Sequence, residues 1–337
     1  MELIKNGSRK PGVAKVSIII PVKAVNDYIK ESIPKILKLD WSDFEIFIFT
    51  DEPDKKHSWP KTRIIASGKV GPAEKRDLAL KYASGEILAF LDDDAYPRPD
   101  WLKKSVHCFF EDKKVAAVGG PAITPGDDGI LQKASGAVFE SYLGGAFARN
   151  RYLCLGNHCL CDDWPTVNLL VRKDVFEQVG GFDNSFWPGE DTKLCLDILN
   201  AGYTIKYDPE GVVYHHRRSD LIKHFKQIGS YALHRGYFAK KFPKTSLKIG
   251  YFAPTIFDLY LLSFFIAPIF FRSLPGGMFY GGPLALYLLI LFIDFILISI
   301  RWRNPLVGLI ASPMIFLTHI WYGVRFVWGL CLLRLER

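Results

Sequence analysis

Glu86-Ile-Leu-Ala-Phe-Leu-Asp-Asp-Asp-Ala95 runs a continuous apolar stretch directly into three adjacent carboxylates, Asp92, Asp93 and Asp94. A short apolar run such as Ile87 to Leu91 reads as a strand buried on both faces, the kind found in parallel α/β sheets. Open sheets of that class bind ligands beyond the carboxyl ends of their strands, so the acidic triplet falls where a ligand belongs. Three neighbouring like charges repel, and a cation or plain water has to offset that repulsion. In isolation the triplet would read as a solvated loop. The chain around it reverses that reading.

On the amino-terminal side, Val16 to Pro21 and Glu45 to Thr50 are β-branched or aromatic runs with a helical stretch, Ile29 to Leu39, between them, which makes a βαβ unit. Arg63 to Ser67 reads as a further strand. Gly71-Pro72 opens a helix that runs to about Ala83, with Gly85 as its stop. After Asp100 a helix and a strand, Ala116 to Gly120, continue the alternation. The pattern is a doubly wound, nucleotide-binding one, but it lacks a Gly-x-Gly-x-x-Gly signature, which argues against a nicotinamide dinucleotide.

Composition divides the chain. Its 337 residues are 49% hydrophobic and 14% aromatic, high for a purely soluble protein, and beyond Tyr251 charges nearly vanish. The boundary therefore falls near Gly250. Three apolar stretches follow, 251–271, 279–300 and 305–333, each reaching the roughly 20 residues that cross a bilayer. Asp294 in the second costs roughly 2.5 to 3.5 kcal/mol at a helix centre, against about 0.3 to 0.6 returned by each of many Leu, Ile and Phe, so insertion wins. Asp258, Pro254 and Pro268 leave the first segment open between spanning, lying in the interface and turning back. The third, carrying His319 and Arg325, is over-long and is expected to end early and continue as an interfacial helix.

The residues from Met1 to Lys15 lack the apolar core of a signal peptide, and Lys240, Lys241, Lys244 and Lys248 precede the first apolar segment. Both features place the large domain on the cytosolic face of a multi-pass protein of the cytoplasmic membrane. Arg301 and Arg303 agree if all three segments span; Arg334 and Arg337 then fall outside and argue against it. The net charge of +8 suits anionic lipid and a phosphorylated substrate, and no motif points to nucleic acid. Of the six cysteines, Cys154, Cys159 and Cys161 cluster with His158. The spacing lacks the paired Cys-x-x-Cys of a structural zinc site, so reduced thiols in a cytosolic loop are expected.

With these elements placed, the chain resembles the family 2 inverting glycosyltransferases of the GT-A fold over about Lys15 to Tyr237. The resemblance rests on Val16-Ser-Ile-Ile-Ile-Pro21, Asp51, Gly85 to Asp94, Gly180-Gly-Phe-Asp183, Gly189-Glu-Asp191 and Tyr214-His-His216, in that order. It implies a Rossmann-like mixed sheet as catalytic domain, 15–217, after a tail, 1–14, and before a linker, 218–250, and a transmembrane region, 251–337. It also implies transfer of a sugar from a nucleotide-diphosphate donor, in one displacement, to a lipid-linked or membrane-proximal glycan.

The resemblance carries roles to particular residues. Asp51 would accept hydrogen bonds from the donor base, although an Asp there also suits a turn. Pro21 and Val22 would line the base and ribose pocket, whose edge departs from the family at Lys23 and Ala24. Lys75, and less so Arg76, would reach the nucleotide, the alternative being a solvated helix face. Asp92 and Asp93 would lie at the nucleotide sugar, with Asp92 and Asp94 on a Mg²⁺ or Mn²⁺ ion, oxygen donors suiting both. One of His215 and His216, with His215 ahead, would complete the metal shell or touch diphosphate. Glu190 and Asp191 open a helix, where acids also serve the helix dipole. Asp191 would be the general base and Glu190 would orient acceptor or base. Asp162, Asp163 and Trp164 would line the acceptor side.

Ser219 to Lys241 reads as a basic, aromatic amphipathic helix lying on the bilayer or packing on the domain. A Gln-x-x-Arg-Trp motif is absent, which makes a processive polysaccharide synthase the minor reading within the enzyme class. A non-catalytic nucleotide-sugar-binding scaffold is the reading outside it. Donor base, sugar, acceptor identity and oligomeric state are not encoded in any of these motifs.

Overall fold

The computed structural model describes residues 14–270 and 277–335, so the expected tail lies outside the described residues except for Ala14, as does Arg337. Strands are β1 (Val16–Pro21), β2 (Phe44–Thr50), β3 (Thr62–Ala66), β4 (Ile87–Leu91), β5 (Ala95–Pro97), β6 (Val115–Gly119), β7 (Ala122–Ile123), β8 (Cys159–Cys161), β9 (Asn168–Arg172), β10 (Thr204–Tyr207) and β11 (Val213–His215). Helices are α1 (Asp27–Ile36), α2 (Pro72–Asp77), α3 (Ala79–Tyr82), α4 (Trp101–Glu111), α5 (Ile130–Glu140), α6 (Tyr142–Gly145), α7 (Lys173–Gln178), α8 (Glu190–Asn200), α9 (Leu221–Lys241), α10 (Pro243–Ser246), α11 (Ile249–Phe270), α12 (Gly277–Arg301) and α13 (Pro305–Cys331).

Two compact units emerge. One comprises Met1–Pro121, Asn157–Asn184 and Lys193–Val213; the other comprises Ala122–Gly156, Ser185–Thr192 and Tyr214–Arg337. The sequence placed 122–156 and 185–192 wholly within the catalytic domain, whereas in space they group with the carboxyl-terminal helices. Apolar composition marked only the long helices, and the stretches that fold with them carry no apolar run of spanning length.

The first unit is a mixed sheet in the order β3-β2-β1-β4-β9-β6-β10-β8. β1 pairs in parallel with β2 on one side and β4 on the other, and β9 runs antiparallel between β4 and β6. Because the chain leaves β1 outward to β2 and β3 and returns to β4, the carboxyl ends of β1 and β4 flank the point where strand order reverses, the ligand crevice of such sheets. Every residue of β1 and β4 is buried, as their uninterrupted apolar runs require. Below the sheet a core gathers Phe47, Phe90, Trp164, Phe176, Phe182 and Leu194. The expected single helix after Gly71 is α2 and α3, separated at Leu78.

The second unit is helical. α13 is one continuous helix to Cys331, and α9 packs along its carboxyl-terminal half. Glycines make that contact possible: a Cβ at Gly236 would overlap the Phe326 carbonyl, and one at Gly329 the Leu233 carbonyl. Ala232, Ala239 and Phe326 fill the seam. Arg325 donates to the Gly229 carbonyl at 3.2 Å and its guanidinium lies over the Trp328 ring, so its charge is spent on α9 and an aromatic face. Among the described residues two helical stretches are long and apolar enough to cross a membrane, Gly281–Arg301 and Pro305–Cys331, with a shorter apolar stretch at Ile249–Phe264.

Candidate active site

At the reversal point of the first unit, Pro21 and Val22 are buried where β1 ends, and Asp51 directly follows β2. Lys75 comes to them from α2. Its ammonium donates to the Val22 carbonyl at 2.6 Å and to Asp51 Oδ1, and the residue is 2% exposed. A lysine so buried is retained only if paired and hydrogen-bonded, which removes the solvated-face reading. One carboxylate oxygen of Asp51 is thereby fixed, and the group is held as an acceptor for N–H donors.

The triplet is resolved residue by residue. Asp92 takes a 2.7 Å hydrogen bond from the Arg76 guanidinium, which is itself buried and lies over the Phe182 ring. Asp93 turns the other way and accepts from Asn26 Nδ2 at 2.6 Å. Burial, with Asp94 and then Asp92 beside it, pushes the Asp93 carboxyl up to about 6. Asp94 is 8% exposed, and carboxylate oxygens of Asp92 and Asp94 lie within 4.8 Å of each other. The triplet leaves the end of β4 through a turn, with Ala95 N donating to the Asp92 carbonyl at 3.2 Å.

Asn26 escaped the sequence reading. It caps α1, its Oδ1 accepting from Ile29 N at 2.9 Å, while its amide restrains Asp93. An Asn immediately before Asp27 and an amphipathic run is an N-cap signal, but nothing local announces the second bond. The Gly180-Gly-Phe-Asp183 motif also acquires a physical cause. Gly180 and Gly181 have φ of +85° and +74°, and a Cβ on Gly181 would stand 2.6 Å from Asp77 Oδ1. That turn delivers the Phe182 N–H to Asp77 at 2.9 Å and the Phe182 ring to the core below Arg76. Burial pushes Asp77 up to about 6.

The acceptor-side expectation divides. Trp164 is 1% exposed, stacks on Tyr207 and donates from Nε1 to the Gly120 carbonyl at 3.0 Å. It belongs to the core and is withdrawn as an acceptor-lining residue; a Trp beside two acids gave no sign of which way it points. Asp163 is buried and Asp162 is exposed.

In the second unit, Glu190 and Asp191 occupy the first turn of α8, with Asp191 Oδ1 accepting from Thr192 N at 2.7 Å and Glu190 4% exposed. The two histidines separate. His216 Nδ1 pairs with Asp128 at 2.5 Å, a buried structural contact. His215 Nδ1 lies 2.7 Å from the Arg217 guanidinium, which can only donate. The proton of a neutral His215 therefore sits on Nε2, making that nitrogen a donor. Arg217 is buried, also donates to Thr124 Oγ1 at 3.1 Å and to the Ala122 carbonyl, and was not foreseen.

Comparison with known proteins bears on the family and the fold. The family described as glycosyl transferase family 2 matches residues 17–180. A dolichyl N-acetyl-alpha-D-glucosaminyl phosphate 3-beta-D-2,3-diacetamido-2,3-dideoxy-beta-D-glucuronosyltransferase of Methanococcus voltae is 25% identical over 342 residues, covering 94% of this chain and 97% of its own. A glucosyl-dolichyl phosphate glucuronosyltransferase of Haloferax volcanii is 23% identical over 222 residues, 60% of this chain and 69% of its own. Among solved structures, the mannosyltransferase PcManGT of Pyrobaculum calidifontis, in complex with GDP-Man and Mn²⁺, superposes with a TM-score of 0.60 at 17% identity over 92% of this chain and 90% of that one. The mixed sheet is that of the GT-A fold.

Proposed function

The chain is a family 2 glycosyltransferase, and from that premise we propose that it transfers a sugar from a nucleotide-diphosphate donor to a dolichyl-phosphate-type lipid-linked glycan at the cytoplasmic membrane, with inversion. The observation that carries the reading is the pairing of Asp92 and Asp94 on one side of the β4 end, beside a pocket wall built from Val22, Asp51 and Lys75.

Asp51 accepts from the donor base, and Lys75 holds that carboxylate in place. Arg76 orients Asp92, and Asn26 holds Asp93. The all-oxygen pair of Asp92 and Asp94, two carboxylates close together with one of them nearly buried, fits a hard divalent ion such as Mg²⁺ or Mn²⁺. A bound ion of that kind supplies charge neutralisation for the departing diphosphate. His215 is assigned, on sequence order and its Arg217 contact, to the diphosphate as an Nε2–H donor. Asp191, also on sequence order, takes the proton of the acceptor hydroxyl as that oxygen attacks the anomeric carbon. Glu190 orients the acceptor or the base, and Asp162 and Asp163 remain on the acceptor side.

The acceptor class draws support from the lipid-phosphate-linked sugars named for the archaeal relatives and from α12 and α13, which we take to span the bilayer. The test is transfer by the purified full chain to a polyprenyl-phosphate-linked acceptor. Chelation should abolish it, Mn²⁺ should restore it, and Asp191→Asn should reduce it at least 100-fold; undiminished turnover by that variant would remove the proposed base.

A further inference from the structure

Asp294 and His319 lie in the middle of α12 and α13, where polar groups are costly, and both are bonded to the backbone of one short segment far away in sequence. Asp294 is 1% exposed and its two oxygens accept from the N–H groups of Tyr142, at 3.1 Å, and Leu143, at 2.9 Å. His319 Nε2 donates to the Leu143 carbonyl at 3.1 Å, its Nδ1 accepting from the Tyr287 hydroxyl at 2.8 Å. Along α12, Asp294 stands roughly 10 Å from Arg301, and along α13 His319 stands roughly 20 Å from Pro305, at 1.5 Å per residue. Leu143 is therefore held between those depths, measured from the α12–α13 connection.

The segment that reaches this depth is built for it. From Ala134 to Ala148 the sequence is Ala-Ser-Gly-Ala-Val-Phe-Glu-Ser-Tyr-Leu-Gly-Gly-Ala-Phe-Ala, with Glu140 as its one charge. Ala134, Ala137 and Val138 of α5 pack against Ile298, Val307, Ala311 and Ile315, the ends of α12 and α13 nearest their connection. The chain then turns back at Ser141 through α6, where a Cβ on Gly144 or Gly145 would overlap the carbonyls of Val138 or Phe139. Irregular backbone survives at membrane depth only if protein satisfies it, and here it does. Ser141 N donates to Ala137 O at 2.9 Å, Ser141 Oγ accepts from Gly144 N at 2.8 Å, and Gly145 N donates to Ser141 O at 3.1 Å. Glu140 is buried beside Arg217 and Thr124, and its carbonyl accepts from Arg149 Nε at 2.7 Å. The large side chains left outward are Tyr142, 58% exposed, and Phe147, 91% exposed, with the Arg149 guanidinium folded over the Tyr142 ring.

We propose that Ala134–Ala148 is a re-entrant element inserted in the bilayer, with Phe147 and Tyr142 in contact with lipid and Arg149 returning to the headgroups. It rests on the reading that α12 and α13 span the membrane. The occupant of the exposed face is hydrocarbon, because the partners of Leu143 fix its level within those helices.

The test uses the full chain in phosphatidylcholine/phosphatidylglycerol vesicles, with Cys154, Cys159, Cys161 and Cys331 changed to Ser and single nitroxide labels at Phe147→Cys, Tyr142→Cys, Leu289→Cys on α12, and Lys81→Cys as the aqueous control. Power saturation compares oxygen with a water-soluble nickel chelate. The proposal expects labels at 147 and 142 to favour oxygen over nickel at least tenfold relative to position 81, matching 289. If 289 favours oxygen but 147 and 142 match 81, the re-entrant element is refuted and the spanning reading stands. If 289 also matches 81, the spanning reading fails and takes the proposal with it.

Discussion

Replacing Lys75 by Met tests whether the base end of the pocket is held by a buried ion pair. The substitution keeps the stem that lies among buried neighbours and deletes the ammonium that bonds Val22 O and Asp51. Breaking a fully buried pair costs about 3 to 5 kcal/mol, but the Asp51 side chain is 18% exposed, so water softens the loss to about 1 to 3 kcal/mol. The same deletion frees the Asp51 carboxylate to rotate. Losing one charge-assisted hydrogen bond to the donor base, about 1.5 to 3 kcal/mol, corresponds to roughly 10- to 100-fold weaker nucleotide binding. The assay is a double-mutant cycle of Lys75→Met, Asp51→Asn and their combination, with thermal unfolding in detergent and titration calorimetry with UDP and GDP. The double variant should be more stable than Lys75→Met alone, with a coupling of about 1 to 2 kcal/mol in stability. Additive losses, or nucleotide affinity unchanged in Lys75→Met, would refute the reasoning.

Asp94→Asn should leave unfolding nearly unchanged and weaken Mn²⁺ binding at least tenfold, read by the electron paramagnetic resonance of free Mn²⁺. Gly181→Ala should lower stability by about 1 to 3 kcal/mol, since it combines a positive φ with a Cβ against Asp77; circular dichroism melting decides. Asp77 and Asp93, each raised to about 6 in the folded chain, bind protons more tightly folded than unfolded. Their contribution therefore favours the fold below about pH 4 and is lost as pH rises through about 6. Asp77→Asn should flatten the dependence of melting temperature on pH between 4 and 6 in part, Asp93 retaining the remainder, and an unchanged slope would exclude Asp77 from it.

The sheet was legible because each of its central strands is written as an apolar run ending in a chemically marked residue: Pro21, Asp51, then Asp92. Helix faces were harder. Lys75 and Arg76 have the sequence look of a solvated turn, and only the return of β4 beside β1 turns them inward onto Asp51 and Asp92. Trp164 failed for the converse reason, since an aromatic residue following two acids is compatible with a binding surface until Tyr207 is known to stack on it. Asp294 and His319 could be priced as intruders in apolar helices, but their partners lie more than a hundred residues earlier, and no periodicity links Leu143 to them. Arg217, three residues after the Tyr214-His-His motif begins, was readable only as another basic residue until its bonds to Thr124 and His215 were seen.

Stereochemistry of transfer tests the single-displacement assignment most directly. The purified chain, supplied with Mn²⁺, a nucleotide-diphosphate sugar of known anomeric configuration and a polyprenyl-phosphate-linked acceptor, should form a product whose glycosidic bond has the opposite configuration by nuclear magnetic resonance. A product with retained configuration, or donor cleavage that never reaches the acceptor, would contradict it.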